Sequence, residues 1–231
     1  MAIPFDLLGP DGGPIYSETN FSNFVVEPFN AGSAVLFMGI SLYWIWKLWP
    51  SKLQFGFVFF ASCLMLIGGL GGSLYHGFRW SKWFLLMDWL PITVLCILAS
   101  VYFLNKLFHQ LYYALFAMGT ALLIQWLIWE YAGKHDGHHH TTLNYALLAI
   151  SILLPVIYYL RKNHFRNGKW VAYALISFLL ALCFRLIDAY EFLPFGTHFL
   201  WHIGGAIASH SMLQFMYLEN DLFVSTQNLK S

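Results

Sequence analysis

His198 and His202 stand four residues apart in Gly196-Thr197-His198-Phe199-Leu200-Trp201-His202, at the start of a long apolar run. In a helix that spacing puts both imidazoles on one face, one turn apart, so a single segment presents two metal-grade ligands together. An apolar run of this length reads as a membrane helix. Polar side chains in such a segment are costly, so they tend to stay where they pair, bind or react.

Three further polar residues bear on the same chemistry. His76 closes an earlier apolar run, Asp88 lies just inside the next, and Ser73 precedes His76 by three residues. Three neutral imidazoles that leave a fourth position for water form the ligand set of a catalytic zinc, whereas a structural site normally fills all four positions with protein. His76, His198 and His202 fit that set. Asp88 is the candidate acceptor for the water's proton, and the Ser73 hydroxyl is the candidate donor to a developing oxyanion. The competing reading has each histidine satisfying a polar spot inside a bundle. A haem carrier is a third reading, which the crowding of His198 and His202 on one side disfavours, because axial ligands approach an iron from opposite faces.

The elements that position these residues follow from composition. The chain has 231 residues, 59% of them hydrophobic and 10% charged, against roughly a quarter charged in soluble domains. A helix needs about 20 apolar residues to cross the hydrocarbon core. Seven such runs can be counted, near residues 30–48, 55–76, 83–104, 111–131, 143–160, 170–188 and 198–218. The expected fold is all-α, a seven-transmembrane helix bundle at 29–219, with an N-terminal extramembrane segment at 1–28 and a tail at 220–231. Connections are short, so one bundle is expected and no second domain. Seven alternating helices bring the starts of the first, third and seventh and the end of the second to one membrane face. Glu27, Asn30, His76, Asp88, His198 and His202 all fall there.

Lys and Arg accumulate in cytoplasmic loops. Lys47, Lys52, Lys106, Arg161, Lys162, Arg166, Lys169 and Lys230 outnumber Arg79, Lys82, Lys134 and Arg185 on the opposite side. The expectation is therefore an integral, multi-pass membrane protein with its N-terminus and metal site on the non-cytoplasmic side and its C-terminus in the cytoplasm. Residues 1–27 carry turn motifs without a basic and apolar leader, so no cleaved signal peptide is expected. A formal net charge of +1 gives no reason to expect a nucleic-acid partner. Cys63, Cys96 and Cys183 lie in apolar stretches and read as packing residues. Trp44, Trp46, Trp49, Trp80, Trp83, Trp126 and Trp129 fit interfacial aromatic belts, and Gly68, Gly69, Gly71 and Gly72 fit close approach of a neighbouring backbone. His135 and His138 to His140 form an imidazole-rich loop that reads as a loose metal patch. Arg185 and Asp188, beside Glu191, are spaced to pair, and His210 reads as a hydrogen-bonded bundle residue.

Four segments in this order, Glu27-Pro28-Phe29-Asn30, Gly71-Gly72-Ser73-Leu74-Tyr75-His76, Leu86-Met87-Asp88-Trp89-Leu90-Pro91 and the His198 to His202 pair, resemble those of the CREST superfamily of seven-helix membrane proteins. That superfamily groups alkaline ceramidases, progestin and adiponectin receptors, and GPI-anchor lipid-remodelling enzymes. The alkaline ceramidases look closest. The resemblance implies a zinc-dependent membrane amidohydrolase that cleaves ceramide or a related N-acyl lipid into fatty acid and free amine. A lipid-remodelling esterase and a receptor-like ligand sensor are the alternatives within the superfamily. Partners implied are the lipid substrate and membrane lipids. The family's serine usually precedes its histidine by four residues, where this chain has Gly72. The resemblance also implies a calcium site, of which Glu18, Asn20 and Glu27 are the parts present, while Ile15 stands where an aspartate is expected. Capping or loop roles for Glu18 and Asn20 are the competing reading.

Overall fold

The computed structural model describes residues 8–131, 137–190 and 192–228, without the side chains of 129, 131, 137–146 and 221–228. It is all-α: α1 (Pro28–Leu48), α2 (Gly56–Phe78), α3 (Lys82–Phe108), α4 (Leu111–Tyr131), α5 (Gly137–Lys162), α6 (Gly168–Ile187) and α7 (His198–Asn228). Short 3-10 turns, Trp49–Ser51 and Asp188–Tyr190, follow α1 and α6. Among the described residues, five helices are long and apolar enough to cross a membrane: α1 with its 3-10 turn, α2, α3, α4 and α6 with its 3-10 turn. This is a membrane protein. The helix α7 carries His198, His202 and His210 with several serines and glycines, which dilute its apolar character, and it runs on as helix through most of the stretch expected to be a tail.

The chain gathers into two units, residues 1–91 with 167–231, and residues 92–166. In the first unit α1 packs against both α2 and α7, and α6 against α7. Glycine makes these approaches possible. A Cβ on Gly71 would run into the backbone of Met87 at the start of α3, one on Gly69 would lie 2.9 Å from the Met38 nitrogen of α1, and one on Gly204 would lie 2.7 Å from Ala181 of α6. The glycine-rich end of α2 is thus a packing surface, as its composition suggests.

Aromatic placement divides the tryptophans. Trp46, Trp80 and Trp83 are over 70% exposed, as an interfacial belt requires. Trp44 is not part of such a belt: it is fully buried and donates its indole N–H to His210 Nδ1 at 3.2 Å. His210 is therefore a hydrogen-bonded bundle residue. In the second unit α4 packs on α5, and Phe103 of α3 meets Tyr159 of α5 edge-on at 5.6 Å. The three cysteines are free thiols.

Candidate metal centre

Helix ends build this site. Pro28 suits the first turn of α1, where a missing N–H costs nothing. The next two N–H groups, of Phe29 and Asn30, are orphan donors that need a partner. Glu18 supplies it: its carboxylate accepts from the Phe29 N–H and, at 2.9 Å, from the Asn30 N–H. Just upstream, the Val26 and Glu27 N–H groups bond the carbonyls of Gly77 and His76 at 2.8 and 3.0 Å, which stitches the start of α1 to the end of α2. The start of α7 is capped by Asp188, whose Oδ1 accepts the N–H groups of Thr197 (2.6 Å) and His198 (2.8 Å). Asp188 Oδ2 also takes the Ser17 N–H at 3.2 Å, so the N-terminal segment is tied to the same cap. Gly196 adopts φ 68° to make room, since a Cβ there would strike Asp188.

These three ends bring His76, His198 and His202 together. All three are buried, and one ring nitrogen from each lies within 4.8 Å of the others. A tetrahedral zinc with ligands at about 2.1 Å separates them by about 3.4 Å, so a small contraction suffices. The arrangement can hold a metal ion. Two hydrogen bonds orient the rings. The His76 Nδ1–H donates to Glu27 Oε2 at 2.5 Å, which leaves the buried Nε2 with no hydrogen-bond partner among the described residues. The His202 Nδ1–H donates to the Asn30 carbonyl at 3.0 Å, with the Ser33 hydroxyl also at 3.0 Å, which turns its Nε2 inward. Carboxylate or carbonyl oxygens on the far nitrogen of a ligand histidine fix its tautomer and raise its basicity. Tyr16, from the N-terminal segment, stacks on His198 at 3.9 Å and lies 5.4 Å from His76.

Asp88 stands next to this centre. It is only partly buried, and its Oδ1 lies 2.6 Å from where a Cβ on Gly72 would be. Gly72 lies one helical turn before His76, on the same face. The position where the resembling family carries serine is thus kept bare here, and the aspartate carboxylate fills the room. We expect Gly72→Ala to push that carboxylate aside. Overpacking of this kind costs about 1–3 kcal/mol, and the variant should keep its metal while losing most of any Asp88-dependent turnover, read by metal content beside activity.

Ser73 lies elsewhere on the helix. Its hydroxyl donates back to the Gly69 carbonyl at 2.9 Å and borders Met38 Sδ at 3.9 Å. An oxyanion role would require it to leave that bond.

The residues proposed for calcium do not fit a calcium ion. Hard cations ask for six to eight oxygens, and these are spent within the protein. Both Glu18 oxygens cap α1. Asn20 Oδ1 accepts the Ser22 N–H (3.0 Å) and hydroxyl (2.5 Å), an Asx turn. Glu27 takes the Thr19 hydroxyl (2.6 Å) and Arg79 Nη1 (2.5 Å) on Oε1, and His76 and Asn30 Nδ2 (3.3 Å) on Oε2. Burial raises the Glu18 carboxyl, and the two N–H donors do not fully offset it. For Glu27 burial is outweighed by the His76 imidazole and the Arg79 guanidinium, which hold it below the usual glutamate range.

Sequence reasoning found the three histidines and Asp88 but not their supports. The sequence offers Glu27 as a cation ligand, whereas in the structure it orients His76. Arg79 enters the sequence only as a loop charge, although its spacing of three from His76 places both at one end of α2. The sequence spaces Asp188 to pair with Arg185; in the structure its Oδ1 caps the start of α7, and the Arg185 guanidinium lies over the Trp201 ring at 5.4 Å. Glu191 and the side chains of His135 and His138 to His140 lie outside the described residues. Compared with models of known families and with curated proteins, the sequence matches none.

Proposed function

We propose that this chain is a zinc-dependent membrane amidohydrolase, acting on ceramide or a related N-acyl lipid to release a fatty acid and the free amine. The observation that carries the reading is the buried trio His76, His198 and His202, with outward nitrogens of two of them held by oxygens and a partly buried carboxylate alongside. Imidazole ligands of this kind suit zinc, and an open fourth position distinguishes a catalytic centre from a structural one. Zinc bound there would polarise a carbonyl and make water acidic near neutral pH.

The chain's own groups do the rest. Asp88 takes a proton from the attacking water on its carboxylate and returns it to the nitrogen that leaves when the C–N bond breaks. Glu27 and the Asn30 carbonyl hold the His76 and His202 rings against rotation, so the ligand nitrogens are placed before substrate arrives. Exposed aromatic residues at this end of the helices, Phe24, Phe29, Trp80 and Trp83, suit contact with lipid tails and headgroups. In this reading the site faces the non-cytoplasmic leaflet, in keeping with the distribution of Lys and Arg.

The test is product analysis. Detergent-purified protein of verified zinc content is incubated with N-acyl sphingoid lipids and with O-acyl lipids of matched chain length. Fatty acid released from the amide is expected. Release from the ester alone would move the reading to a lipid-remodelling esterase, and no release from zinc-loaded protein would sink the enzyme reading.

A further inference from the structure

The Arg79 side chain makes four hydrogen bonds near the centre and has no role in the reaction described above. It follows the last turn of α2 in the left-handed conformation, φ 55° and ψ 28°, with its N–H bonded to the Tyr75 carbonyl at 2.8 Å. That conformation costs a non-glycine residue about 1 kcal/mol, so something must offset it. The guanidinium forks onto Asp11, Nε to Oδ2 at 2.5 Å and Nη2 to Oδ1 at 2.8 Å. The same Nη2 reaches the Gly13 carbonyl at 3.3 Å, and Nη1 donates to Glu27 Oε1 at 2.5 Å. The side chains of Arg79, Asp11 and Glu27 are almost wholly excluded from solvent. The guanidinium also sits 4.7 Å from the Tyr75 ring, over an aromatic face.

We infer that Arg79 is a positioning residue for the metal centre, a built-in cation that does here what a bound calcium ion would do. It binds the N-terminal segment through Asp11 and fixes Glu27, and through Glu27 it fixes the His76 ring. Three features carry this. Glu27 divides its two oxygens between the guanidinium and His76, so the cation and the ligand histidine share one carboxylate. The bidentate fork to Asp11 is planar and directional, which a lysine cannot reproduce. The side-chain oxygens of Glu18, Asn20 and Glu27 each accept from a protein donor. On this inference the centre needs no calcium. Burial lowers the guanidinium's hold on its proton, but Asp11, Glu27 and Tyr75 more than reverse that and keep it charged. Asp11 in turn is held below the ordinary aspartate range, burial notwithstanding, by its bonds to Arg79 and the Gly13 N–H.

The inference rests on the trio holding zinc and does not need lipid to be cleaved. The experiment is zinc affinity by competition with a chelator, with melting temperature measured on the same samples, for wild type, Arg79→Gln, Arg79→Lys and Asp11→Asn. Loss of an outer partner of a ligand histidine typically weakens metal binding about 10–100-fold, and Arg79→Gln is expected to fall in that range. Arg79→Lys, which keeps a charge for Glu27 but not the fork, should recover part of the affinity. Asp11→Asn should lose less than Arg79→Gln. EGTA followed by calcium chloride should leave the wild type unchanged in both readouts. If Arg79→Gln does not fold, Arg79→Lys and Asp11→Asn carry the test. Variants that melt lower but bind zinc as tightly as wild type would reduce Arg79 to a fold contact and overturn the inference, as would a saturable rise in wild-type zinc affinity with calcium. A wild type that holds no zinc would remove the metal reading itself, a separate result.

Discussion

Asp88→Asn is expected to cut turnover by about 10²–10⁴-fold while leaving the metal in place. Asparagine keeps the shape that fills the gap beside Gly72, and Asp88 is not among the three residues whose ligand atoms converge. What it loses is the ability to take a proton from water and return it to the leaving nitrogen. General acid–base catalysis of this kind contributes about 10²–10⁴-fold, so kcat should fall by that factor with KM little changed. The pH profile should change with it, since the group that must be ionised is gone. Side-by-side measurement of lipid hydrolysis and zinc content decides the matter. A variant that hydrolyses lipid at the wild-type rate would remove Asp88 from the chemistry, and one that loses its zinc would recast it as a ligand.

The second large effect is expected at His202. Its ring is buried and contributes one of three converging nitrogens, while its Nδ1 is fixed by the Asn30 carbonyl and lies beside the Ser33 hydroxyl. His202→Ala takes away the ligand and leaves the other two short of a catalytic set. The loss in zinc affinity should exceed the 10–100-fold typical of an outer partner, and activity should fall below detection. Replacing Ser33 by alanine makes the contrast: the Asn30 carbonyl still accepts the His202 proton, so zinc should be retained with a modest drop in affinity.

The residues that were legible in the sequence are those governed by regular periods. Membrane-length apolar runs announced the seven helices, and i,i+4 spacing announced that His198 and His202 share a face. Counting alternating helices then put His76 and Asp88 at the same end. The supports of the site were not legible, because they depend on residues 8–27, where no repeating pattern says which donor meets which acceptor. Glu18, Asn20 and Glu27 are three oxygen-bearing side chains close in sequence, which resembles a cation site. Only the path of the chain shows that one caps α1, one closes its own turn and one holds His76. Asp188 illustrates the same point. Its spacing from Arg185 says nothing of the cap, which arises because the 3-10 turn after α6 aims its carboxylate at the start of α7. Ser73 depends on a single rotamer, and that rotamer bonds the Gly69 carbonyl. The bare Gly72 was visible as a departure from the resembling family, and the structure supplies its reason in the carboxylate of Asp88.

The central claim is that His76, His198 and His202 hold one zinc ion. Multi-element mass spectrometry of detergent-purified protein tests it most directly, on the wild type beside His198→Ala and His202→Ala. The account predicts one zinc per chain in the wild type and its loss from both variants. Stoichiometric zinc retained in both variants, or a folded wild type without any transition metal, would contradict it.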